Sequence, residues 1–149
     1  MERLTRIPAD IARERARRAA SALAKDPRVR LVFLFGSAAD PASEAVRDVD
    51  LAVLTDQPLG LYEELDLRAD AAREAGGDID LVSLNRASVV LAHEVAETGA
   101  CLYASPPETE DEFVTRARMR YFDFKPYLEE QWKLLGERLE ERRRRGFSG

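Results

Sequence analysis

Two aspartates separated by one residue, Asp48 and Asp50, stand in the otherwise apolar segment "DVDLAVLT". In an extended chain alternate side chains share a face, so both carboxylates point one way and Val49 points into the core. Asp80, in "DIDLVSL", reaches the same face if the two strands are neighbours. Buried charge is costly unless paired, and like charges this close raise one another's pKa. Such a cluster therefore expects cations. Hard oxygen donors suit Mg2+, which is held by one or two carboxylates together with substrate phosphates. The chemistry open to the set is phosphoryl or nucleotidyl transfer, in which two ions clamp the attacking and leaving oxygens.

Ten residues separate Asp48 from the pair Gly36-Ser37, which directly follows the apolar run "RVRLVFLF". Glycine lets the backbone come close to a ligand and take unusual dihedrals. Amide N–H groups at such a turn form an anion site, and the Ser37 hydroxyl adds a donor. Phosphates held by the turn would meet cations held by the aspartates at one place.

The elements that must position these groups are legible in the periodicity. Ile7, Ile11, Ala16, Ala19, Ala20 and Leu23 recur near a helical period and predict a helix from Pro8 to about Lys25. Strands are expected over 28–35, 48–55 and 78–84, and a short fourth strand at "ACLYA". The segment "AADPASEA" suits a loop or short helix. Residues 61–75 read as a helix stopped by Gly76-Gly77, and Asn85 is a candidate cap for a helix through "RASVVLAHEVAET". Beyond "SPPETEDE" a long helix carries one stripe of Phe113, Ala117, Tyr121, Phe124, Leu128, Trp132, Leu135 and Leu139, which Pro126 should kink or divide. The stripe is a packing face, part of which a second chain could cover. The sum is an α/β (α+β) chain, with a small mixed sheet, helices packed largely on one side and a C-terminal helical extension. The boundary falls between 1–105 and 106–149.

Bulk properties narrow the function. A chain of 149 residues with 45% hydrophobic and 34% charged residues is globular. A net charge of −5 argues against broad electrostatic contact with nucleic acid. No run reaches the length of a membrane span, and the charged N-terminus lacks the apolar segment of a signal peptide. A cytoplasmic location is expected. Cys101, the single cysteine, reads as a small core residue. His93, the single histidine, reads as a core-edge or surface residue rather than a catalyst.

Gly36-Ser37, ten residues, then Asp48-x-Asp50 between apolar strands resembles the GS-x10-DxD signature of the DNA polymerase beta superfamily of nucleotidyltransferases. The chain is most similar to its minimal nucleotidyltransferases, and "RARMRYFDFKPYLEEQW" resembles the helical tail of their antitoxin branch, paired with HEPN-domain toxins in toxin–antitoxin modules. The resemblance implies a polymerase-beta-type fold and Mg2+-dependent transfer of AMP from ATP to a tyrosine of a partner HEPN ribonuclease toxin, which silences the toxin. It implies that Asp48, Asp50 and Asp80 hold two Mg2+ ions, that Asp80 can also activate the acceptor hydroxyl, and that Gly36 and Ser37 hold the triphosphate. A hetero-oligomer with the toxin follows, without direct nucleic-acid or membrane contact. In one respect the chain departs from the pattern: it reads "GSAADP" where the family commonly continues with an Arg-rich segment. Asp40 near a triphosphate would oppose binding, so a second reading is an antitoxin weakened in catalysis that neutralises its toxin by stoichiometric binding.

Overall fold

The computed structural model describes residues 6–148; residues 1–5, which open the charged N-terminus, and residue 149 lie outside that range. Six strands and four α-helices follow in the order β1 (Ile7–Pro8), α1 (Ala9–Ala24), β2 (Val29–Phe35), β3 (Ala45–Val46), β4 (Asp50–Thr55), α2 (Leu61–Ala75), β5 (Asp80–Ser83), α3 (Val89–Thr98), β6 (Ala100–Ala104) and α4 (Thr109–Ser148), counted among the described residues. The main sheet has the order β5-β4-β2-β6. β4 and β5 run parallel, whereas β2 is antiparallel to both β4 and β6. The sheet is mixed, as expected.

The central strands explain their own composition. β2 and β4 are covered on both faces, so each reads as a nearly unbroken apolar run. Val32, Leu34, Leu51 and Val53 pack with Ala12, Ala16, Ala19 and Leu23 of α1 and Leu67 and Ala71 of α2. Leu31, Phe33 and Ala52 face the other way, onto Val95 of α3 and Phe113 and Val114 of α4. The expectation of helices largely on one side is therefore corrected: α1 and α2 cover one face, α3 and α4 the other. The alternation that sends odd and even positions of β2 to opposite faces requires two apolar layers.

Three local departures from the sequence reading have clear causes. Ile11 is exposed and Ala12 takes its place in the core, because the buried stripe of α1 runs 9, 12, 16, 19, 20, 23. The helix after β5 is capped by Ser88, whose Oγ accepts from the Leu91 amide at 3.1 Å. Asn85 has another task. Its Oδ1 accepts from the Thr55 amide at 2.9 Å and its Nδ2 donates to the Thr55 carbonyl at 2.8 Å, closing the end of β4. Thr55 is buried, so Asn85→Ala would strand both backbone groups. It should lower unfolding free energy by about 2 kcal/mol, read from a denaturant midpoint.

Pro126 does not divide α4, which runs as one element of 40 residues, about 60 Å long at helical rise. Its first part packs on the body: Phe113 lies 5.5 Å from Phe33 between ring centroids, Ala117 is buried, and Tyr121 stacks on His93 at 3.7 Å. His93 thus serves as a packing residue. Farther along, the stripe has nothing to cover it, and Trp132, Leu135 and Leu139 are each more than half exposed. The arginine-rich end pairs along the helix, Arg143 with Glu140 at 2.6 Å and Arg145 with Glu141 at 2.9 Å. Cys101 is half-buried, and burial pushes its thiol up to about 11.

Candidate active site

Register alone brings two of the three carboxylates together. β4 and β5 pair in parallel with Asp50 opposite Asp80, so both side chains leave the same face, the one that Ala52 and Val82 share with α3. Asp48 is not in the strand. It stands exposed, two residues ahead of β4. Val49 between them is buried in the opposite layer, and its carbonyl accepts from the Asp80 amide at 2.9 Å, which extends the pairing one residue beyond the strand. Along these three residues Asp48 is exposed, Val49 buried and Asp50 half-buried, and the Asp48 charge acts on Asp50.

Gly36 closes the other side. It sits at the end of β2, whose last residue Phe35 pairs with Asp50, and it opens a single 3-10 turn over Gly36–Ala39. Its φ is +74°, a left-handed value that glycine adopts at little cost. The reason no other residue fits is also steric. A Cβ at Gly36 would lie 2.5 Å from Oδ2 of Asp50. The Gly-Ser backbone therefore lies directly against the central carboxylate, with Ser37 exposed beside it.

The electrostatics of Asp50 follow from this crowding. Burial, then the negative charges of Asp80 and Asp48, a hydrogen bond to Asp80 and the charge of Glu94 together push its carboxyl up to about 6. Asp80 is held from outside by Arg68 of α2, which donates from Nη2 to Asp80 Oδ1 at 2.8 Å and from Nε to the Ile79 carbonyl at 2.9 Å. Arg68 and Glu94 belong to the site's surroundings, and neither carries a signal in the sequence. Arg68 is one of many arginines on a charged helix, and Glu94 is one of several glutamates at helical positions.

The donor set suits a hard divalent cation. Two adjacent carboxylates, one of them disfavoured as an anion by its neighbours, are what an added positive charge would relieve. Among the described residues no three His, Cys, Asp or Glu side chains close into a cage by themselves. Asp40, whose charge the sequence placed near a triphosphate, is engaged in its own turn: Oδ1 accepts from the Ala42 amide at 2.9 Å.

Residues 18–108 match the family described as Polymerase beta, Nucleotidyltransferase. Over 113 residues the chain is 31% identical to the protein adenylyltransferase MntA of Aphanizomenon flos-aquae (strain 2012/KM1/D3), spanning 69% of this chain and 75% of that one. Among solved structures it is similar in fold to a mutant of the toxin–antitoxin MntA-HpeT, with a TM-score of 0.69 and 22% identity over 83% of this chain and 98% of the other. It is similar too to the complex of a tri-AMPylated Shewanella oneidensis HEPN toxin with its MNT antitoxin, with a TM-score of 0.66 and 23% identity over 86% and 98% of the two chains. A toxin–antitoxin structure with AMP-PNP matches at a TM-score of 0.68 and 24% identity, over 83% and 98%. A family match over more than half of the chain and a curated relative of this identity agree with a carboxylate pair set against a Gly-Ser turn: the chain belongs to the polymerase beta family of nucleotidyltransferases.

Proposed function

We propose that this protein is the antitoxin of a toxin–antitoxin module and transfers AMP from ATP to a tyrosine of a partner HEPN ribonuclease toxin. The observation that carries the reading is the packing of Gly36 against Asp50 with Asp80 alongside, in a chain related to a protein adenylyltransferase. The solved relatives include a toxin–antitoxin structure with AMP-PNP and a complex whose HEPN toxin carries three AMP groups. The MntA-HpeT mutant carries two Asp→Glu replacements two positions apart, the spacing of Asp48 and Asp50.

In the reaction the tyrosine oxygen forms a bond to the α-phosphorus of ATP, the bond from that phosphorus to the bridging oxygen breaks, and diphosphate leaves. Gly36 and Ser37 hold the triphosphate through the turn's amides and the Ser37 hydroxyl. Asp80, fixed by Arg68 through Oδ1, offers its second oxygen to the tyrosine proton. Asp48, Asp50 and Asp80 would hold Mg2+, which when bound supplies positive charge to stabilise the developing charge on the phosphoryl oxygens. The exposed stretch of α4 around Trp132, Leu135 and Leu139 is the surface offered to the partner.

The test is intact-mass measurement of the toxin after incubation with this protein, ATP and Mg2+. A gain of one or more AMP masses on tyrosine is expected. A tight complex without any gain would remove the transfer reaction and leave neutralisation by binding, a reading that the exposed stripe of α4 by itself would satisfy.

A further inference from the structure

The ten residues between Ser37 and Asp48 join the phosphate-holding turn to the first carboxylate, yet only Ala45–Val46 among them is strand. Their carbonyls must find donors elsewhere. Three of them accept from one side chain. Arg13 of α1, half-buried, donates from Nε to the Ala38 carbonyl at 3.1 Å and from Nη2 to the Asp40 carbonyl at 2.9 Å and the Ser43 carbonyl at 3.4 Å. The far end of the segment is tied to the same helix. β1 pairs with β3 through Ile7 opposite Val46 and Pro8 opposite Ala45, and the Ala9 amide donates to the Glu44 carbonyl at 2.9 Å. The spacer is thus a strap lying on the N-terminal half of α1, with Gly36-Ser37 at one end and Asp48 at the other.

We propose that Arg13 is a positioning residue for nucleotide binding, an inference that rests on the transfer reaction proposed above. A guanidinium presents its donors in one rigid plane, so the three carbonyls it gathers are fixed relative to each other. Ala38, the first of them, is buried and directly follows Ser37, and the Asp40 amide donates back to the Ser37 carbonyl at 3.2 Å. Any shift of the strap is passed to the turn that grips the triphosphate. Arg13 itself is committed to carbonyls and touches no reacting atom. A lysine at the same place keeps the charge but has one nitrogen and cannot reproduce the fork.

The experiment compares wild type, Arg13→Ala and Arg13→Lys as full chains with ATP, Mg2+ and the partner toxin. Both variants are expected to raise KM for ATP about tenfold or more, with kcat and the KM for toxin within about threefold of wild type. A loss of fold alone would lower the active fraction and leave KM unmoved. Hydrogen exchange of the free protein gives a reading independent of transfer: amides within 36–48 should exchange faster in both variants while those of β2 and β4 stay protected. If wild type transfers no AMP, the proposed function fails and hydrogen exchange alone decides the strap. Wild-type exchange in Arg13→Ala would overturn the inference, as would a wild-type KM for ATP. Should Arg13→Ala not fold, Arg13→Lys decides by the same two readings.

Discussion

Asp50→Asn should abolish AMP transfer and make the metal-free protein more stable at neutral pH. Transfer is expected to fall by about a thousandfold, because a neutral amide removes the central anion on which charge stabilisation at the α-phosphorus depends. The stability gain has the opposite origin. The Asp50 carboxyl is raised from 3.8 to about 6 in the folded protein, first by burial and then by Asp80 and Asp48. The folded state therefore binds this proton more tightly than the unfolded chain. The contribution to stability is complete below about pH 4 and is lost as pH rises through about 6, so at neutral pH the charge burdens the fold. Because the group is partly solvated, the burden is about 1 kcal/mol, or about 2–4 °C in melting temperature. Melting curves of wild type and Asp50→Asn without divalent ions should differ by that amount at about pH 8 and converge near pH 4. Equal melting temperatures at every pH would show that Asp50 is not crowded by its neighbours. Adding Mg2+ with a nucleotide should raise the wild-type melting temperature and leave that of the variant unmoved.

Gly36→Ala is the second large effect, and it acts on the same carboxylate from the other side. The substitution places a Cβ 2.5 Å from Asp50 Oδ2 and forces a left-handed φ on a residue that disfavours it. The backbone term is about 1–2 kcal/mol. Relief of the contact requires either the turn or the carboxylate to move, and a displacement of about 1 Å at a reacting centre costs on the order of a hundredfold in rate. The expected result is a folded protein with lowered melting temperature and transfer reduced by about a hundredfold. The double variant Gly36→Ala, Asp50→Asn separates the two terms. Its melting temperature should lie close to the sum of the single changes, since the amide is the same size as the carboxylate and meets the Cβ at the same distance. Gly36→Ala with wild-type transfer would exclude the close approach as a feature of the active site.

The turn at Gly36 and the strand around Asp50 were legible in the sequence because each depended on local spacing. A Gly-Ser pair at a strand end, an Asp-x-Asp spacing and an apolar run around each place a tight turn and carboxylates without reference to the rest of the chain. The helix of α2 and its left-handed stop at Gly76 were equally local, read from composition and one glycine. What required the tertiary structure was every relation between distant segments. That Asp80 stands opposite Asp50 is a matter of strand order and register, which two separate apolar runs do not specify. That Asn85 closes β4 on Thr55 rather than capping a helix was decided by a buried backbone pair needing partners thirty residues away. The helices divide between two faces because both central strands present apolar side chains up and down. Arg68 and Arg13 look like any other arginine on a charged helix. Only packing reveals that one holds a carboxylate and the other gathers three carbonyls, because a guanidinium's role is set by what lies within its reach and not by its neighbours in sequence.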